Sequence, residues 1–211
     1  CPSIDIAKNV IKKKLNFYEK YQGVGIKQDL NKRFGILLFH SDTYDYKKSG
    51  IYIQRILESL HELKLSTIVF WPNQDIGGDL ISKSIRQFRE KIKSKYFYFI
   101  KNISPDDFLK LLSKAQFIIG NSSAGIREST FLGKLSINIG NRQIGRERDE
   151  NIIDIRPIKK MIKKTIIDNI GKSFQSSKKY GDGNSGKKIA KILEDVDFKS
   201  TKKFFKIKFE K

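Results

Sequence analysis

A chain of 211 residues that is 38% hydrophobic and 31% charged can bury a real core, which excludes a disordered chain. One cysteine excludes an intramolecular disulfide framework, two histidines exclude a His-rich metal site, and no apolar run approaches the ~18 residues of a membrane-spanning helix. The formal net charge is +20, but 34 of the 43 basic residues are Lys, which reads as lysine-rich composition and not as a nucleic-acid groove.

Position 1 is not a translation start, because the only methionine is Met161. A mature lipoprotein also opens on cysteine, but a flexible polar tether would follow it; we expect a piece of something longer. Ser3 to Lys20 predicts one amphipathic helix with Ile4, Ile6, Val10, Ile11, Leu15 and Tyr18 as its apolar positions. From Arg33 onward short β-rich runs recur at 34–39, 66–71, 96–100, 117–120, 135–139 and 152–155. Helical patterns lie between them at 50–64, 80–93, 105–114 and 126–132, with Ser104 as N-cap, Pro105 at the first helical position and Gly133 as a stop. Two more helices follow, about 158–169 and 185–195. Such alternation predicts an α/β fold, a doubly wound parallel sheet of six strands with helices on both faces. The last residues, 197–211, interleave Lys with Phe. Such a tail fits an extension packed back on the domain, and also an acidic or single-stranded nucleic-acid partner.

In such sheets ligands bind beyond the carboxyl ends of the strands, and the unusual residues fall there. His40 follows the first strand, Asn73 and Asp75 the second, Lys101 and Asn102 the third. Gly120-Asn121-Ser122-Ser123-Ala124-Gly125-Ile126-Arg127-Glu128 follows the fourth, and Asn141-Arg142 the fifth. Small residues between a strand and a helix let backbone approach a phosphate, with helix N–H groups and Ser hydroxyls as donors. Glu128, near the end of the first turn, is within reach of sugar hydroxyls. The same spacing fits a plain turn with a Ser N-cap and Glu128 closing a capping box. A histidine after an apolar strand suits a phosphate contact or proton transfer near neutral pH, though a lone one is often structural. Arg142, with Arg146 and Arg148 behind it, suits a diphosphate.

Gly181 to Lys188 is nearly a P-loop, but Lys188 stands where magnesium-holding Ser/Thr is required and no buried strand precedes it, so ATP binding is rejected. No pair of carboxylates stands out as an acid/base couple. Lys83 and Arg86, after Gly77, read as a solvated basic helix before an effector site.

Taken together, Cys1-Pro2-Ser3, Phe39-His40, Trp71 to Gly77, Gly120 to Glu128, Asn138 to Glu147 and Tyr180 to Gly183 resemble the hydrolysing UDP-N-acetylglucosamine 2-epimerases of sialic and legionaminic acid synthesis. The resemblance implies one Rossmann-like domain of a GT-B architecture whose N-terminal domain is missing. It divides the chain into an inter-domain helix and lead-in at 1–32, a UDP-binding domain at 33–196 and the basic tail at 197–211. It implies Ser122 and Ser123 on the diphosphate, Glu128 on the ribose, Gly125, Asn73 and Arg142 lining the UDP cleft, and His40 as the catalytic histidine. Ser41 departs from the usual proline. It further implies UDP and a UDP-amino sugar as partners, with no nicotinamide or other cofactor and no metal. A cytoplasmic location and a homo-oligomer when full-length are also implied, with no nucleic acid and no membrane as partner. A GT-B glycosyltransferase and a basic nucleic-acid or acidic-partner binding module are the competing readings.

Overall fold

The computed structural model describes residues 1–195; the Lys/Phe tail at 197–211 lies outside them. In chain order the elements are α1 (Pro2–Val10), α2 (Phe17–Lys20), β1 (Val24–Gly25), β2 (Gly35–Leu38), α3 (Ser49–Glu62), β3 (Thr67–Phe70) and α4 (Gly78–Ile92). They continue as β4 (Phe97–Ile100), α5 (Pro105–Lys114), β5 (Phe117–Gly120), α6 (Arg127–Phe131), β6 (Leu135–Ile139), β7 (Ile152–Ile155), α7 (Lys159–Asn169) and α8 (Ser185–Asp195). The sheet order is β1-β4-β3-β2-β5-β6-β7, parallel throughout except for β1, which pairs antiparallel with β4. The doubly wound α/β fold is therefore as expected, with a strand order that reverses between β2 and β5.

The inner strands β2, β3, β4 and β5 are almost wholly apolar on both faces because both faces are covered. Leu37, Val69, Phe99, Ile119 and Ile137 point to one side, where Ile53, Leu57 and Leu60 of α3, Ile81 and Ile85 of α4, and Ile162 and Ile166 of α7 meet them. Their neighbours Ile36, Ile68, Tyr98 and Ile118 point to the other, against Leu111 and Leu112 of α5 and Phe17 of α2. The caps fall where the sequence puts them: Ser104 Oγ accepts from the Asp107 N–H at 3.2 Å, and Gly133 sits past α6 at φ +61°.

Two expectations fail. The single helix at 3–20 is two pieces, α1 and α2, separated at Ile11–Asn16, where Lys12, Lys13 and Lys14 form a like-charged run. The pieces serve different cores: Ile4, Ala7 and Val10 of α1 are buried, the last two beside Leu109, whereas Phe17 joins the α5 side of the sheet. Ile6, counted among the apolar positions, is 39% exposed. The sheet also has a seventh strand, β1, whose two residues carry no alternation for a sequence reading to detect.

Candidate functional site

The crevice where strand order reverses lies beyond the carboxyl ends of β2 and β5, and a doubly wound sheet binds its ligands there. His40 comes off β2 and Asn121-Ser122-Ser123 off β5, so the topology alone makes neighbours of two segments 81 residues apart. At the end of β5, Gly120 takes φ +140°, and a Cβ there would collide with the Leu38 carbonyl oxygen. Only glycine lets β5 stay against β2 and then turn away into the serine loop.

His40 is buried. Its Nδ1 faces the Asn73 N–H at 3.4 Å, which leaves the proton of the neutral ring on Nε2. Burial, reinforced by the Arg142 guanidinium and opposed by Asp75, pushes the imidazole down to about 4. At neutral pH the ring is therefore an uncharged N–H donor. It lines a cavity of about 590 Å³ with apolar Leu38, Phe70 and Phe108 and polar Asn73 and Lys101. Ser41 is buried as well, its hydroxyl 3.1 Å from that of Ser49 at the start of α3.

The serine loop closes into a short 3₁₀ turn, Ser123–Gly125, ahead of the five-residue α6. Such a turn leaves its first N–H groups without intrahelical partners. Ser122 Oγ accepts from the Ala124 N–H at 3.3 Å, and Ser123 Oγ accepts from Arg127 Nη2 at 3.0 Å. Gly125 is buried, and a Cβ there would come 2.8 Å from Ser136 Oγ, so its small size lets the loop pack onto β6. Glu128 is only 7% exposed. Its Oε1 lies 3.7 Å from Arg127 Nη2 and its Oε2 has no partner among the described residues. A capping box would have engaged that carboxylate with a backbone N–H, and it does not.

Arg142 Nη1 donates to the Asn121 carbonyl at 3.2 Å, which ties the loop after β6 to the serine loop. Gln143 donates to the same oxygen at 2.8 Å, and its buried Oε1 has no partner among the described residues. Thus Asn121 links His40 to Arg142, Asn73 joins them through the His40 ring, and Arg127 lies against both Ser123 and Glu128. Arg148 is engaged elsewhere: it forks onto Asp154 at 2.7 and 3.2 Å and donates to the Gln143 carbonyl at 2.9 Å, which stiffens the loop. Asn121 lies in the loop expected at the site, but neither it nor Gln143 is assigned a role from the sequence; their roles arise from contacts across the sheet that spacing does not reveal.

The near P-loop is filled from within the fold. The Asp5 carboxylate accepts from the Ser185 N–H at 3.0 Å and the Gly186 N–H at 2.8 Å, so the α8 N-terminus already has its anion. Among the described residues there is no group of three or more potential metal ligands, and no helix is long and apolar enough to cross a membrane.

The sequence profile of the UDP-N-acetylglucosamine 2-epimerases matches residues 2–194. A Campylobacter jejuni GDP/UDP-N,N'-diacetylbacillosamine 2-epimerase (hydrolyzing) is 34% identical over 148 residues, 69% of this chain and 38% of that protein. The UDP-N,N'-diacetylbacillosamine 2-epimerase (hydrolyzing) of Legionella pneumophila is 27% identical over 173 residues, 82% of this chain and 45% of the relative. The chain thus spans under half the length of these curated relatives. Its fold is shared with the Methanocaldococcus jannaschii UDP-GlcNAc 2-epimerase, solved in complex with UDP-GlcNAc and UDP, at a TM-score of 0.65 and 18% identity, over 92% of this chain and 53% of that one. The chain belongs to the UDP-N-acetylglucosamine 2-epimerase family.

Proposed function

We propose, with that membership as premise, that this chain is the UDP-holding part of a hydrolysing 2-epimerase acting on UDP-N-acetylglucosamine or its diacetylated bacillosamine relative. The observation that carries the reading is the buried Glu128 carboxylate, whose Oε2, without a partner among the described residues, stands one turn from the Ser122–Ser123 loop at the crevice of the sheet. A buried carboxylate oxygen left without a donor is costly unless a ligand supplies one, and ribose hydroxyls are donors at the right reach from a diphosphate.

In this reading Ser122 and Ser123 hold the diphosphate with hydroxyl and backbone donors, and Gly125 shapes their turn. Arg142 supplies positive charge and Asn73 closes the rim. A pyrimidine fits the apolar side of the cavity beside Phe108. His40, neutral and protonated on Nε2, donates to the oxygen of the departing UDP. The reaction removes the C2 proton of the amino sugar and expels UDP to give an unsaturated 2-acetamido sugar. Water then adds across the double bond to release the 2-epimer as a free sugar. The carboxylates that move these protons are assigned to an N-terminal domain, with 1–32 as the lead-in, 33–196 as the UDP domain and 197–211 as a basic tail. A cytoplasmic enzyme that is homo-oligomeric at full length completes the proposal.

The test is a UDP titration of the 211-residue chain at ~150 mM salt, followed by residue-resolved chemical shifts, with a short oligonucleotide as control. Half a cleft should bind at about millimolar Kd, roughly −4 kcal/mol. Shifts centred on Ser122, Ser123, Gly125 and Glu128 are expected. No response to UDP beside tight oligonucleotide binding would overturn the reading, as would release of UDP from UDP-N-acetylglucosamine by this chain alone.

A further inference from the structure

We infer that Asn121 is a positioning residue, whose side-chain amide fixes His40 while its main-chain carbonyl fixes the loop that carries Arg142. Its consequence for turnover rests on the function proposed above; the geometry does not. β2 and β5 pair as far as Leu38 and Gly120, and Asn121 N–H still reaches the Leu38 carbonyl at 3.2 Å. There the β5 backbone must leave the sheet to form the serine loop, which would strand the backbone groups of His40 in a buried place. The Asn121 side chain takes over the ladder: Oδ1 accepts from the His40 N–H at 2.7 Å and Nδ2 donates to the His40 carbonyl at 2.8 Å.

Few side chains can do this. The position needs one donor and one acceptor side by side on a one-carbon stem. Aspartate offers acceptors only, serine a single group, and glutamine is a methylene too long. The carbonyl of the same residue then accepts from Gln143 at 2.8 Å and Arg142 at 3.2 Å, so both of its lone pairs are used. Asn121 itself is 2% exposed and has no room to choose another geometry. One residue therefore sets the histidine, the start of the serine loop and the arginine against each other. The charged groups acting on the ring are Arg142 and Asp75, and the first of these is held by the same residue.

The chain has only two histidines, so the ring signals of His40 and His61 are assigned by the single variant H61Q. Imidazole nitrogen and carbon shifts of the 211-residue chain, followed from pH 3.5 to 8 with and without UDP, give the reading. In the wild type His40 should remain in the Nε2–H form until well into the acid range. In Asn121→Ala its midpoint should rise by about one pH unit or more toward the ordinary value, and its tautomers should mix. His61 should stay as it was, and the UDP-induced shifts of Ser122 and Ser123 should weaken several-fold. Asn121→Asp keeps the acceptor to the His40 N–H and loses the donor, and should also release the tautomer.

A folded Asn121→Ala chain with the wild-type His40 midpoint and tautomer would overturn the inference. If both variants fail to fold, solvent exchange of the wild-type Asn121 side-chain amide decides: a slowly exchanging proton supports the clamp, and free exchange of both protons removes it. Should His40 respond to Asn121 while UDP moves nothing in the wild type, the functional reading fails and the positioning role stands. The opposite pattern sinks the positioning role alone.

Discussion

Around Asp107 both carboxylate oxygens are answered, whereas around Glu128 buried polar atoms are left waiting. Asp107, 3% exposed, accepts from Lys110 at 2.7 Å on one oxygen and from Tyr21 at 2.7 Å and Lys20 at 3.2 Å on the other. The Tyr21 hydroxyl also meets Ser104, so the α5 cap, the α5 helix and the chain after α2 are joined in one closed network. At the crevice, Glu128 Oε2, Gln143 Oε1 and Arg127 Nε have no partner among the described residues. Polar groups buried to hold a fold are satisfied when folding ends; groups buried to hold a ligand are satisfied only when it arrives. The two carboxylates are similarly buried, and bond completeness separates them where burial does not.

The sharpest way to break that comparison is Asp107→Ala. It strands Lys110, whose side chain is 10% exposed, and should cost about 3 kcal/mol or more of stability, read by urea unfolding, while the response to UDP stays as it was. A loss of UDP binding in a folded Asp107→Ala chain would join clusters we hold separate. Acid separates them next. His40 is pushed down to about 4, so between about pH 6.5 and 4 the unfolded chain binds a proton that the folded chain refuses. Its contribution is thus complete above about 6.5 and lost as pH falls toward 4. The hydrogen bond from Lys110, with those from Tyr21 and Lys20, holds Asp107 well below the usual carboxylate range, so its contribution fades only in stronger acid. His40→Gln should flatten the upper window by up to about 2–3 kcal/mol and leave the lower one unchanged, as measured by unfolding at pH 7, 4.5 and 3. The smallest effect is the most telling: Glu128→Gln should change stability by under about 1 kcal/mol yet weaken UDP binding about tenfold. A clear destabilisation with unchanged UDP affinity would make Glu128 a folding residue like Asp107.

The sheet was legible because both its faces are covered: four-residue runs such as Phe97–Ile100 leave no polar residue to blur the strand. Ser104-Pro105 and Gly133 announce their helix ends through local chemistry, which spacing carries. The break after Val10 shows in the sequence only as the Lys12–Lys14 run; that its two pieces serve cores lying in different directions is a fact of packing. In the candidate site, His40 and the 120–128 segment stand out because they follow strand ends. The roles of Asn121 and Gln143 do not, because their partners lie 81 and 22 residues away. Arg148 looked like a ligand-facing cation until Asp154, across a loop, proved to hold it.

The two residues of β1 guard a hazard. Along β4 the sequence reads Lys95-Tyr96-Phe97-Tyr98-Phe99-Ile100-Lys101, five strongly β-forming residues between two lysines, and without β1 it would be the rim strand of the sheet. Segments of that composition, left with open backbone groups, seed intermolecular stacking, and flanking lysines are the usual brake on it. By pairing Val24 with Phe99 and Gly25 with Tyr98, the chain before β2 closes that rim. Preparations in which residues 16–26 are cut away or undocked should be recognised first by turbidity and thioflavin fluorescence, well before any change in nucleotide affinity.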